Sequence, residues 1–104
     1  MADIRAIIAP VGTSNTPSIA SATTALAENK NRGAWMIQNL GTNALFVRLG
    51  LGASSTAFHV VLKAGTGNDD GTGGSFAQES GVIFTGIISI SGTSPRYCVT
   101  EITQ

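Results

Sequence analysis

Few residues in this chain have the chemistry to act on a substrate. His59 is the single histidine, and so the one ordinary general base for a serine or cysteine nucleophile. It stands inside the apolar run FHVVL, where a partly buried structural imidazole is the simpler reading. Cys98 would need an electropositive setting to ionise, and only Arg96 is close in sequence. Asn68, Asp69 and Asp70 cluster oxygen atoms that suit a hard cation. They lack the regular ligand spacing and distal glutamate of a calcium loop, and Asn, Asp and Gly are ordinary turn formers. Gly65-x-Gly67 and Gly71-x-Gly73-Gly74 hint at a phosphate cradle, but no helix follows to point its N-terminus at an anion. Trp35 would make a sugar-stacking platform if exposed; in a strand it is expected in the core. Glu28, Lys30 and Arg32 read as a solvated loop. The expectation is a protein with no catalytic residue, no cofactor and no metal site, and no enzyme activity.

What remains is architecture, and bulk composition bounds it. A chain of 104 residues is one domain, large enough for a modest core. Charged residues make up 12%, about half the usual share for soluble domains. Six basic and six acidic residues cancel, which points away from nucleic acid as a partner. A neutral, charge-poor surface does little to keep copies apart, so part of it is expected to be covered by another subunit. One cysteine excludes an internal disulfide framework. No apolar run approaches a membrane span, and the first residues do not read as a signal peptide, so a protein made and kept in a cytosol is expected.

The strongest local pattern is RGAWMIQNLGTNALFVRLG, residues 32–50. It predicts strands at 34–39 and 44–49, joined as a hairpin by a turn at 40–43. Trp35 and Ile37 share one face and Met36 and Gln38 the other; Leu45, Val47 and Leu49 oppose Phe46 and Arg48 in the same way. Two partly apolar faces place the pair centrally. A strand is also expected over 18–26, and others over 58–62, 76–78, 82–85, 87–91 and 97–102. Loops are expected at 11–17 and, flexible and exposed, at 66–75. Roughly seven or eight short strands between glycine turns fit an antiparallel β-sandwich, jelly-roll-like. The domain proper is 18–104, preceded by an N-terminal arm or edge strand at 1–17. In the arm Ile4, Ile7 and Ile8 do not alternate and Pro10 follows, which suits contact with another subunit.

Arg32 to Val47 also resembles the first hairpin of small virion proteins of tailed bacteriophages. The resemblance continues through the strand and Lys-Ala-Gly turn at 59–65, the step Phe84-Thr85-Gly86, and the closing Val-Thr-Glu-Ile at 99–102. It runs from Thr24 to Ile102 and leaves 1–17 outside. Its motifs are structural, and there are no catalytic residues to carry over. The family includes capsid decoration, or cement, proteins, which sit as trimers on the outer shell, and head-fibre or tail components. The resemblance therefore implies a virion protein on the capsid exterior, assembled in the host cytoplasm. Its partners would be the major capsid protein and two further copies of itself, with no nucleic acid or membrane contact. The alternative is a head-fibre or tail-tip module that binds host carbohydrate or receptor through Trp35 or the glycine-rich loop.

Overall fold

The computed structural model describes residues 11–14, 18–19 and 23–103. Among them are nine strands in two antiparallel sheets. The strands are β1 (Val11–Ser14), β2 (Ser18–Ile19), β3 (Thr23–Leu26), β4 (Arg32–Asn39), β5 (Leu45–Leu49), β6 (Val60–Leu62), β7 (Ser75–Gln78), β8 (Ile88–Gly92) and β9 (Arg96–Thr103). The first sheet runs β1-β9-β4-β7, with β2 also on β9, and the second runs β3-β8-β5-β6. Both sheets interleave strands from the two halves of the chain, the double Greek key of a jelly roll.

The inward residues of both sheets form one core. Trp35, Ile37, Leu45, Val47, Leu62, Ile88, Ile90, Tyr97 and Val99 are all buried. Trp35 packs on Phe76 with ring centroids 5.6 Å apart, tilted by 56°. Period-two alternation is visible throughout: on β4, Trp35 and Ile37 are buried while Met36 between them is exposed.

The central placement of the two arms holds, but the hairpin does not. β4 pairs with β9 and β7 in one sheet, and β5 with β8 and β6 in the other. The connection is a corner that carries the chain across the sandwich, so Trp35 and Ile37 face Leu45 and Val47 through the core. Asn39 makes the corner. Its Oδ1 accepts the Gly41 N–H at 2.9 Å, and its Nδ2 donates to the carbonyls of Asn43, Leu62 and Lys63 at 2.8, 3.2 and 3.2 Å. The turn's backbone bonds outward too: the Leu40 N–H donates to Arg96 O, and Gly41 O accepts from Gly65 N–H. A local Gly/Asn signal marks a reversal of direction; it does not say which sheet the chain enters next.

Other boundaries also differ. The strand expected over 18–26 is two strands, β2 and β3, lying in different sheets. Residues 11–14, expected as loop, pair with Thr100–Thr103 of β9. Residues 82–85, expected as strand, are irregular: the Arg32 guanidinium donates to Phe84 O, Gln78 Oε1 accepts the Phe84 N–H, and Thr85 O accepts the Asn29 N–H. Ile4, Ile7 and Ile8, the expected contact residues, lie outside the described residues, as does most of the arm.

Candidate binding surfaces

Most groups with chemical potential are engaged inside the fold. Arg32, expected in solvent with Glu28 and Lys30, is instead buried, its side chain fully covered. Its Nε donates to Glu101 Oε2 at 2.8 Å; Nη1 donates to Phe84 O at 2.7 Å and Gly86 O at 3.1 Å; Nη2 donates to Ala27 O at 2.7 Å. A planar fork of fixed donors suits such a node. It fastens the 27 and 84–86 segments to β4 and β9. At Gly86 a β-carbon would lie 2.7 Å from the Phe84 ring, so a larger residue there would have to displace that ring. Glu28 and Lys30 do remain exposed.

Trp35 is 1% exposed, which removes it as a stacking platform. Its Nε1 donates to Gln78 Oε1 at 2.8 Å, and that oxygen also accepts the Phe84 N–H at 2.9 Å. His59 is exposed rather than partly buried, because β6 begins only at Val60. Its Nδ1 accepts the Leu49 N–H at 3.0 Å, so the imidazole extends the β5 ladder where a strand residue would have stood. Cys98 is half-buried; it alternates with the buried Tyr97 and Val99, which puts it on the outer face of the five-stranded sheet. His59 flanks the other sheet, so the two do not form a nucleophile–base pair. Burial pushes the Tyr97 hydroxyl's pKa up.

The glycine-rich loop is exposed as expected, but its polar groups pin it. Asp69 receives Arg96 Nε at 2.7 Å and Nη2 at 2.8 Å, which lowers the Asp69 pKa and raises that of Arg96. Asp70 accepts from the Thr72 hydroxyl and N–H and from the Thr66 hydroxyl, and these bonds hold its carboxyl below the ordinary value. The Asp69 N–H donates to Leu40 O and the Gly74 N–H to Lys63 O. At Gly73 a β-carbon would stand 2.0 Å from Asn39 O, so only glycine lets the loop lie against the corner. Among the described residues no three His, Cys, Asp or Glu side chains gather as metal ligands.

The surface left for contact is apolar. Phe58 is 42% exposed, Val61 49%, Met36 46%, Leu51 65% and Val82 92%. Phe46 and Phe58 form a tilted ring pair with centroids 5.1 Å apart. Sequence reasoning put Phe46 on the face opposite Leu45, Val47 and Leu49 but did not single it out, although an aromatic two residues from Arg48 on the same face was the available signal. No family model matches the chain, and searches of curated proteins and of solved structures return no match.

Proposed function

We propose that this protein is a non-enzymatic structural component of a tailed-phage particle, a capsid decoration protein that binds the outer shell and bridges major capsid subunits. It acts as a homotrimer, assembled in the host cytoplasm and carried on the virion exterior. The observation that carries this reading is the division of labour among side chains. Arg32, Asp69, Asp70 and Trp35 are consumed in holding the fold, while Phe58, Val61, Leu51, Met36 and Val82 face outward. Such a molecule is equipped to associate and not to react. The likeness of Arg32–Val47 and Val99–Ile102 to phage virion proteins supplies the setting. Many copies on one shell would multiply weak contacts, as linked sites raise effective concentration.

The test is to add purified protein to capsids lacking it, sediment them, and image the particles. Extra density of this chain's size at local three-fold positions is expected. Failure to co-sediment, or density only on a fibre or tail, would refute the decoration role.

A further inference from the structure

The outer faces of the two sheets differ in charge. On the five-stranded sheet the outward positions of β4, β7 and the first part of β9 are Ala34, Met36, Gln38, Ser75, Ala77, Arg96, Cys98 and Thr100, and the one charge among them, Arg96, is paired with Asp69. The four-stranded sheet instead presents an apolar centre with basic neighbours. Phe46 lies opposite Val61 in the β5–β6 register, and Phe58 packs on Phe46. Arg48 is two residues along from Phe46, and Lys63 two along from Val61, so alternation puts both on the same side as the rings. Neither has an ion-pair partner among the described residues. His59 stands at the rim with Nδ1 occupied by Leu49. Strands β3, β5, β6 and β8 and the 50–59 connection contain no carboxylate; the described ones are Glu28, Asp69, Asp70, Glu79 and Glu101.

We propose that this face docks an acidic segment of a partner protein that carries an aromatic or bulky aliphatic anchor. The anchor would seat against Phe46, Phe58 and Val61, and its carboxylates would meet Arg48 and Lys63. Two uncompensated cations beside an apolar centre reward that combination and repel a basic partner. Nucleic acid fits less well. The two rings are tilted by 50°, leaving no broad flat platform for bases, and two cations are too few to follow a phosphate backbone. The inference deepens the decoration role by naming the surface turned toward the capsid and the chemistry it meets there.

The probe is a fluorescein-labelled decapeptide alternating Glu and Leu around a central Phe, read by anisotropy beside its Lys-for-Glu counterpart and a dT oligonucleotide. The Glu peptide should bind at least about tenfold more tightly than the Lys peptide, and weaken with salt. Arg48→Glu with Lys63→Glu should invert that preference, and the milder Arg48→Gln with Lys63→Gln should abolish it. Phe58→Ser should weaken binding, and Ala77→Glu on the outer face of the other sheet should leave it unchanged. Equal affinity for both peptides, indifference to the charge variants, or preference for the oligonucleotide would overturn the proposal. Particle binding separates the two readings. If capsids still bind the protein while the peptide result fails, the docking face is wrong and the role stands. If the peptide result holds while capsids do not bind, the reverse follows.

Discussion

Two arginine–carboxylate pairs brace opposite ends of β4, and their N–O distances are nearly the same: 2.8 Å for Arg32 with Glu101 and 2.7 Å for Arg96 with Asp69. Their surroundings are not. The Arg32 and Glu101 side chains are 0% and 15% exposed, those of Arg96 and Asp69 27% and 44%. In water an ion pair replaces hydration with little net gain. Inside, the gain is also modest relative to an apolar substitute, but loss of one partner strands the other without solvent. Arg32 would strand three carbonyls as well. Distance alone therefore ranks these pairs equal, and burial separates them.

That contrast can be broken by substitution. The largest effect is expected for Arg32→Met, a loss of about 3–5 kcal/mol in urea unfolding, because Glu101 and the carbonyls of 27, 84 and 86 lose their donor together. A loss below ~1 kcal/mol would mean that water reaches the node and the distinction fails. Adding Glu101→Leu should recover part of the loss by removing the stranded charge. Next comes Asn39→Ala, at about 1–3 kcal/mol, since the side chain is buried and bonds the corner to β6. A midpoint unchanged from wild type would show that the corner holds without its amide.

Smaller effects belong to the exposed end. Asp69→Asn should lower the urea midpoint only slightly, far less than Arg32→Met, while loop amides such as Thr66 and Thr72 exchange faster with deuterium. A clear drop in global stability would instead put this pair beside the buried one. Acid should act in the same place. The Asp69 and Asp70 pKa values lie below the ordinary 3.8, so the folded state binds fewer protons than the unfolded state there. Their contribution is complete above the ordinary carboxylate range and fades as pH falls through the lowered values. Carboxyl chemical shifts followed by NMR should show midpoints below 3.8; midpoints at or above it would remove the argument.

The same two regions show what a reader of residues can and cannot see. Alternation located β4, β5 and β9 as strands, because residues such as Trp35, Ile37, Leu45, Val47 and Val99 must leave water, but it did not say which face of β9 turns inward. Arg32 was hidden for a specific reason. Parity with Trp35 and Ile37 would turn position 32 outward, but the β4–β9 register shifts between Arg32 and Ala34, and the irregularity turns it in. A clue did exist in Glu101, which alternation places beside Tyr97 and Val99 on the inner face; an inward carboxylate calls for a cation. Strand partners were the other blind spot. A turn such as 40–43 has the same composition whether its arms lie side by side or across a core. The glycine-rich loop read as slack because composition records backbone freedom, not the Arg96, Thr66 and Thr72 bonds that remove it.

The jelly-roll order has a consequence for how the chain comes into being on the ribosome. β5 and β6 are the one consecutive pair hydrogen-bonded to each other among the described strands. β4 waits for β7 and β9, and β1 and β2 wait for β9. The first sheet therefore cannot zip up as it is synthesised. Its early strands emerge with bare edges and stay so until residues 96–103 clear the exit tunnel. Non-local pairing of this kind folds slowly, and unpaired edges in the interval invite neighbouring nascent chains. The late arrival of one strand sets the interval during which copies are most prone to join wrongly.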